Sequence, residues 1–374
     1  MSDPLLTLIQ NHLEKYPLLQ LQDCIKLLYQ RIRGSEHMLM QPDVCYEMLV
    51  SEKEKTGTDA DAVPYEVIGQ NTCRFQLLPL SGDSMTLRTL SRLFLESMKT
   101  LSANPKEQQE AFETALEKLE GWIQEGILPF SRPESIIFLN LYRKKGCPSI
   151  HHSQTYAAAY HPAYRLLRTD FAHYFPLLAA LDRLLSEKAH IILAIDGKCG
   201  AGKSTLASLL AELYPCDIVH MDDFFLPAML RTPDRLQEAG GNVHYERLKE
   251  QVLPALLALK EERDFSFPVE YQVFDCHTMA FKPQNASLTA QPLTIIEGSY
   301  SMRPEFQAVY DLKVFLDISP KTQKERLLSR NGEEAWRNFK EKWIPMEQRY
   351  FDVFDVAQNC DLIFQNESFY SDPA

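Results

Sequence analysis

The chain has 374 residues, of which 45% are hydrophobic and 24% charged, a composition typical of globular proteins and a length sufficient for two domains. Its net charge of −12 argues against a broad surface for nucleic acid or for anionic membranes. No apolar run is long enough to span a membrane, no basic secretory region begins the chain and no C-x-x-C pair occurs, so we expect a cytoplasmic protein without a zinc or disulfide framework.

Residues 1–187 are predicted to form a mainly helical domain. Apolar residues recur there at helical spacing, between residues that commonly begin or end helices. A first helix is expected from Asp3-Pro4, and the others at Leu18–Arg33, Pro42–Lys55, Ser84–Leu101, Pro105–Gln124, Glu134–Lys145, Ala163–Arg168 and Leu177–Lys188. One short strand is predicted at Cys73–Pro79, and the proline would limit it to the edge of a sheet. No motif in this half indicates a chemistry.

A polar and aromatic segment closes the helical half. It contains His151, His152, Ser153, Tyr156, Tyr160, His161, Tyr164 and Arg165. A metal site would need a third ligand that the sequence does not supply. The alternatives are packing and hydrogen bonding within the fold, or a surface that binds a substrate or an effector.

From Ala189 onward, short apolar strands alternate with helices, which is the pattern of a parallel sheet with crossover helices. The predicted strands are Ile191–Ile195, Asp217–His220, Leu293–Ile296, Leu312–Leu316 and Leu362–Phe364. The predicted helices are Lys203–Tyr214, Tyr245–Lys260 and Pro320–Arg330. The expected fold over residues 188–374 is therefore α/β, a P-loop NTPase-type parallel sheet flanked by helices. Ligands of such folds bind beyond the carboxyl ends of the strands.

The motif Gly197-x-x-x-x-Gly202-Lys203-Ser204 follows the first of these strands and precedes a leucine-rich helix, as a P-loop requires. The glycines let backbone N–H groups point at phosphate oxygens, and the helix N-terminus adds its field. Lys203 would supply charge to the β- and γ-phosphates, and the Ser204 hydroxyl suits Mg²⁺. The expected nucleotide-binding residues are Gly197, Lys198, Cys199, Gly200, Ala201, Gly202, Lys203, Ser204 and Thr205. The alternative is a glycine-rich turn without a ligand.

Acidic residues follow two further predicted strands. Asp222 and Asp223 are adjacent carboxylates, whose burial without partners would be costly unless Mg²⁺ or a substrate hydroxyl met them. Glu297 follows its strand in a Walker-B-like position and is able to hold Mg²⁺. The alternatives are helix capping for the aspartates and a simple turn at Gly298 for Glu297.

A basic stretch follows the fourth predicted strand, with Lys321, Lys324, Arg326, Arg330, Arg337, Lys340, Lys342 and Arg349. Arg326 and Arg330 lie one helical turn apart, and Asn331-Gly332 offers a break that resembles a hinge. This pattern favours a lid that brings arginine to a transferring phosphoryl group. A solvated helix face with acidic partners such as Glu325 is the alternative.

In this order of motifs, residues 189–366 resemble the P-loop kinases of the uridine kinase, phosphoribulokinase and bacterial pantothenate kinase group. The segment Asp222-Asp-Phe-Phe225 corresponds to the family's Asp-Ser-Phe-Tyr, and Glu297-Gly298 to its Val-Glu-Gly. The resemblance implies that Asp222 is the general base and that Arg330 and Arg326 neutralise the transferred phosphoryl group. The first half of the chain resembles no family that we recognise.

The sequence departs from uridine kinases where the acceptor is chosen. Tyr271 and His277 are six residues apart, whereas the corresponding tyrosine and histidine of the family are five apart. In the segment where the family has its ribose-binding aspartate, this chain offers Glu246 instead. Asp223, Glu246, Tyr271 and His277 are therefore the expected substrate-binding residues. Tyr271 and His277 would alternatively be core and surface residues of a hairpin.

Together these features predict an ATP- and Mg²⁺-dependent kinase of a small molecule. The expected catalytic residues are Asp222, Lys203, Arg330 and Arg326, and the expected metal-binding residues are Ser204, Glu297 and Asp222. A nucleoside is the favoured acceptor, with pantothenate-like or sugar alcohols as alternatives, and neither nucleic acid nor a membrane is expected as a partner. The competing hypothesis is a nucleotide-dependent switch whose helical domain binds a partner.

Overall fold

The computed structural model describes residues 3–34, 41–69, 71–101, 104–261, 268–276 and 278–367. The chain divides into two compact units between Ala180 and Leu181, slightly before the predicted domain boundary at 187/188. His277 lies outside the described residues. All eight cysteines are free thiols. In the described part of the chain, none of the helices is both long and apolar enough to cross a membrane.

The first unit is mainly helical, as predicted. Its helices are α1 (Pro4–Lys15), α2 (Leu21–Arg33), α3 (Pro42–Thr56), α4 (Ser84–Leu101), α5 (Pro105–Gln124), α6 (Arg132–Lys144), α7 (Gln154–Tyr160) and α8 (Thr169–His173), and α9 (Phe175–Glu187) contains the division between the units. Helix α1 begins where expected, because the Asp3 carboxylate accepts a hydrogen bond from the Leu5 N–H at 2.8 Å and Pro4 occupies the first turn. Buried side chains of α1, α2 and α5, including Ile9, Leu28 and Phe112, form its core.

A small antiparallel sheet in this unit corrects two predictions. It contains β1 (Tyr65–Gly69), β2 (Thr72–Gln76) and β3 (Tyr164–Leu167), in that order. The helix predicted at 163–168 was wrong, because these residues pair with β2, and this pairing overrides the local helical pattern. The predicted strand at 73–79 exists only in part. It is the central strand, not an edge, and Pro79 lies beyond its end.

The second unit is built on a five-stranded parallel sheet, which confirms the predicted fold class. Its strands are β4 (Ile191–Gly197), β5 (Cys216–His220), β8 (Leu293–Glu297), β9 (Leu312–Asp317) and β10 (Leu362–Gln365), arranged in the order β10-β9-β4-β8-β5. Every residue of β4 is buried, because the strand lies at the centre of the sheet and both its faces are covered. The carboxyl ends of β4, β5 and β8 therefore meet at one edge.

Helices and a hairpin complete this unit. The helices are α10 (Lys203–Leu213), α11 (Pro233–Gln237), α12 (Tyr245–Gln251), α13 (Leu253–Lys260), α14 (Pro320–Asn338) and α15 (Ile344–Phe354), and the hairpin strands are β6 (Val269–Asp275) and β7 (Ala280–Leu288). The single helix predicted at 245–260 is divided at Val252, because Pro254 has no N–H with which to continue the hydrogen-bond pattern. Helix α14 extends beyond its predicted end but is kinked at Gly332, where φ is 79°.

Gly197→Ala tests how far the second unit depends on the end of β4. The added Cβ would lie 2.1 Å from the Leu316 carbonyl oxygen, at a φ of 139° that side chains rarely adopt, so we expect the free energy of unfolding to fall by more than ~3 kcal/mol. Gly332→Ala is the control, since it has a φ of 79° but no atom within 4 Å, and it should cost only about 1–2 kcal/mol. Equal losses in urea unfolding would contradict the steric argument.

Candidate active site

The loop between β4 and α10 has the conformation that its glycines predict. Gly200 and Gly202 have φ values of 79° and 95°, and Gly202 immediately precedes the first residue of α10. The Lys203 Nζ donates hydrogen bonds to the Gly197 and Lys198 carbonyls at 2.7 and 3.1 Å, so its side chain lies back along the loop. The Lys198 Nζ instead pairs with the Asp317 carboxylate at 2.6 Å. The loop is therefore folded around Lys203.

Two later helices fix the middle of this loop at Cys199. The Cys199 N–H donates to the Glu347 carboxylate at 2.9 Å, and the Gln323 side-chain amide donates to the Cys199 carbonyl at 3.0 Å. Glu347 is buried and also accepts from the Ser299 hydroxyl at 2.5 Å. Residues of α14 and α15 thus hold the loop and the segment that follows β8 in one arrangement.

Arg326 of α14 also binds the loop, and it connects the loop to the segment after β10. Its guanidinium donates to the Gly200 carbonyl at 3.1 Å and to the Asn366 carbonyl at 2.7 Å. The Asn366 side-chain amide in turn donates to the Ala201 carbonyl at 2.7 Å. Arg326 was expected to approach a phosphoryl group, but here its N–H groups bind backbone carbonyls.

Arg330 lies one turn further along α14 and is exposed. Its Nε donates to the Asn331 side chain at 2.8 Å. The Gly332 kink directly follows, at the break expected from the sequence. The two arginines therefore occupy different environments: Arg326 binds backbone carbonyls, whereas Arg330 is exposed.

A buried carboxyl group, Asp196, supports the start of the loop. It accepts hydrogen bonds from the Gly197 N–H at 2.7 Å, the Tyr350 hydroxyl at 2.9 Å and the Met302 N–H at 3.2 Å. Complete burial raises the pKa of Asp196 to about 6, although Lys203 and these hydrogen bonds oppose the rise.

Ser204 and Glu297 bring hard oxygen atoms together beside Lys203. The Ser204 hydroxyl donates to the Glu297 Oε1 at 3.1 Å, and the His220 Nδ1 lies 2.5 Å from the same oxygen. This hydrogen bond to Glu297 raises the pKa of His220, despite partial burial. Hydroxyl and carboxylate oxygens are the donors that Mg²⁺ prefers when phosphates supply the remaining ligands, so this pair fits the ion. Among the described residues, no group of three or more His, Cys, Asp or Glu side chains forms a metal site by itself.

Asp222 lies on the short 3-10 turn Met221–Phe224 that directly follows β5. It is accessible at the surface, but the surrounding protein displaces much of the bulk water. This desolvation and the charge of Glu297 raise the pKa of Asp222, while Lys203 and Arg330 lower it. The charges of Lys203 and Arg330, two of the predicted catalytic residues, therefore act on Asp222.

Of the residues predicted to bind the acceptor, Tyr271 and Asp223 are joined by a side-chain hydrogen bond, whereas Glu246 has a different partner. Tyr271 belongs to the hairpin, is 2% exposed and stacks on Phe224 with the ring centroids 5.3 Å apart, in agreement with the alternative reading as a core residue. Glu246 is exposed and pairs with Arg235 at 3.1 Å. Asp223 is the neighbour of Asp222 on the same 3-10 turn.

The polar segment in the first unit is explained by hydrogen bonds within that unit. The His152 Nδ1 donates to Asp23 at 2.9 Å, and the Tyr164 hydroxyl donates to the His152 Nε2 at 2.7 Å. Burial lowers the pKa of His152 to about 4, so the ring is neutral near pH 7. This arrangement favours the packing interpretation over a metal site.

Sequence reasoning missed several residues that shape the site: Asp196, His220, Gln323, Glu347 and Asn366. His220 and Asp196 directly flank predicted motifs, and their positions at strand ends were an available signal. Glu347 and Asn366 carried no such signal, because their contacts depend on how distant helices and strands pack.

Comparison with solved structures finds chains that match about half of this chain. A protein from Bacillus stearothermophilus named as a possible uridine kinase has 18% identity and a TM-score of 0.37, and the match covers 51% of this chain and 100% of that one. A protein from Silicibacter sp. TM1040 named as a fructose transport system kinase has 21% identity and a TM-score of 0.37, covering 50% and 97%. Both are kinases by name.

No protein-family model matches the chain, and neither does any curated protein.

The raised pKa of Asp196 predicts a pH-dependent loss of stability. A carboxyl group whose pKa is about 6 in the folded chain and near 4 when unfolded destabilises the fold as pH rises from about 4 to 6. Asp196→Asn should remove this contribution, which is roughly 3 kcal/mol at most because each pKa unit corresponds to about 1.4 kcal/mol. The measurement is the free energy of unfolding of both proteins at several pH values. A constant difference between them across this range would contradict the prediction.

Arg326→Ala and Arg330→Ala should differ in their effects on stability. Loss of Arg326 leaves the carbonyls of Gly200 and Asn366 without their donor, so we expect the free energy of unfolding to fall by about 1–3 kcal/mol. Loss of the exposed Arg330 should change it by less than about 0.5 kcal/mol. Urea unfolding checks both variants, and similar values for the two would show that Arg326 does not anchor the loop.

Proposed function

We propose that this protein transfers the γ-phosphoryl group of ATP to a hydroxyl of a small molecule. The observation that supports this most directly is that Lys203, Glu297 and Asp222 meet at the carboxyl edge of one parallel sheet. Lys203 follows β4, Glu297 ends β8 and Asp222 follows β5. A nucleotide-binding loop alone would need no carboxyl group such as Asp222 beside it.

The phosphate loop would hold the triphosphate through its backbone N–H groups and Lys203. In the structure Lys203 bonds to loop carbonyls, and these contacts keep its ammonium group within the loop. Ser204 and Glu297 would hold Mg²⁺, with Asp222 as the further predicted ligand. Bound there, Mg²⁺ would neutralise negative charge on the β- and γ-phosphates.

Asp222 would act as the general base. It would accept the proton of the acceptor hydroxyl as the hydroxyl oxygen bonds to the γ-phosphorus and the bond from that phosphorus to the departing ADP oxygen breaks. Its raised pKa brings its proton affinity closer to neutral pH, which favours this role. Arg330 would stabilise charge on the transferred group. Arg326 would act indirectly, through the shape of the loop.

A nucleoside is the first acceptor to test, because the sequence resembles uridine kinases. The contacts of Tyr271 and Glu246 give no support to nucleoside recognition by those two side chains, so pantothenate and sugar alcohols belong in the same panel. The cytoplasmic location and the absence of nucleic-acid partners stay predictions from the sequence.

The proposal predicts that one acceptor in a panel of nucleosides, pantothenate and sugar alcohols raises ADP production from MgATP. Asp222→Asn should lower this acceptor-dependent rate by about 10²- to 10⁴-fold, because the base is lost while the nucleotide site is kept. Lys203→Ala should lower all turnover by at least ~100-fold.

Asp352→Asn is the control, since Asp352 is exposed on α15, where Gln348 donates to it. It should leave the rate unchanged. Turnover that no acceptor stimulates and that survives Asp222→Asn would exclude the kinase and favour the nucleotide-dependent switch.

A further inference from the structure

Arg247 is a buried cation next to the turn that carries Asp222. It lies on α12 and is 6% exposed. Its guanidinium carbon lies 4.4 Å from the Phe224 ring centroid and 5.0 Å from that of Phe281. These two aromatic rings belong to the turn and to the hairpin respectively. Arg247 thus contacts both elements through its side chain.

The guanidinium also joins the same two elements by hydrogen bonds. One terminal nitrogen donates to the Gln272 carbonyl of β6, and the other donates to the Asp223 carbonyl of the turn. Two other polar contacts connect this region to the turn. The Tyr271 side chain of β6 hydrogen-bonds to the Asp223 side chain, and the Cys276 thiol lies 3.8 Å from the Asp222 carbonyl oxygen. Arg247 adds a direct link from the hairpin to the backbone beside Asp222, through its hydrogen bonds to two main-chain carbonyls.

Burying the Arg247 guanidinium at this position costs desolvation free energy. Among the described residues its Nε has no hydrogen-bond partner, and the charge of Asp223 offsets only part of the effect of burial. Burial lowers the pKa of Arg247 to about 10, so the group still carries its charge at neutral pH. An apolar side chain such as Met would fill the space between the rings without this desolvation cost. Packing alone does not account for arginine here.

We propose that Arg247 is a positioning residue that holds the Asp222 turn in place through the Asp223 carbonyl. The proposal rests on the proposed function, in which Asp222 is the base. Within the turn, the Asp222 carbonyl accepts only a long hydrogen bond, from the Phe225 N–H at 3.4 Å. A rigid neighbour on the same turn limits the positions that its carboxylate occupies.

The test compares Arg247→Met with Arg247→Lys. Methionine keeps a long apolar side chain between the rings but donates no hydrogen bond, whereas lysine keeps the charge and one or two donors. In Arg247→Met we expect kcat for the acceptor-stimulated reaction to fall by roughly 10- to 100-fold, with KM for ATP within about twofold of the wild type. Arg247→Lys should recover part of kcat. A merely structural role would lower activity through the folded fraction and would show no such division between kcat and KM.

Arg33→Met is the matched control. The Arg33 guanidinium carbon lies 5.3 Å from the Tyr29 ring centroid and 4.7 Å from that of Phe112, and the group donates to the Cys147 carbonyl at 3.0 Å, so it also joins two rings to the backbone, but in the first unit. It should leave kcat unchanged. Wild-type kcat in Arg247→Met would overturn the proposal while leaving the kinase intact.

A second measurement separates failure of this proposal from failure of the proposed function. If the wild type shows no acceptor-stimulated turnover, the kinase is excluded, but amide hydrogen exchange still reports on the turn. Exchange in a peptide covering residues 221–226 should be at least about tenfold faster in Arg247→Met than in the wild type. Exchange in residues 197–204 should be unchanged. Equal exchange of the 221–226 peptide in both proteins would overturn the role of Arg247 independently of any activity.

Discussion

The second unit depends on one close backbone approach, that of Gly197 to Leu316 where β4 meets β9. An added Cβ at Gly197 would lie only 2.1 Å from the Leu316 carbonyl oxygen, so no side chain fits there. The chain can leave the central strand at this point only because Gly197 adopts a φ of 139°. This exit direction places the loop above the sheet edge, where β5 and β8 also end. The chemistry assigned to that edge follows from this steric constraint.

The same edge concentrates negative charge. Desolvation and the charge of Glu297 raise the pKa of Asp222, and Lys203, His220 and Arg330 oppose only part of that rise. Such an arrangement is expensive to maintain in a folded protein, and stability alone would favour fewer charges. It becomes favourable when bound Mg²⁺ neutralises these carboxylates, as the proposed function requires.

The parts that the sequence predicted well are those encoded by consecutive residues. The conformation of the loop from Gly197 to Ser204 is determined by its own glycines, and β4 is recognisable as a continuous apolar run. Features that depend on distant partners were missed or wrong. Tyr164 lies in a strand because β2 pairs with it, and the contact between Glu347 and the loop exists only after α15 has packed. The fold class and the phosphate loop were thus predictable, whereas the residues that hold the loop and choose the acceptor were not.

The contacts of Asn366 and Arg326 have a consequence for the order in which the chain acquires its properties during synthesis. The ribosome releases the residues of the phosphate loop long before β10 and Asn366 emerge. Until then the Ala201 carbonyl lacks the Asn366 amide, and Arg326 lacks the Asn366 carbonyl that it binds in the folded chain. The loop therefore acquires its full set of contacts only late in translation, although its motif lies near the middle of the sequence. A nascent chain would carry the complete Gly-Lys-Ser signature before it has the conformation for which that signature is known.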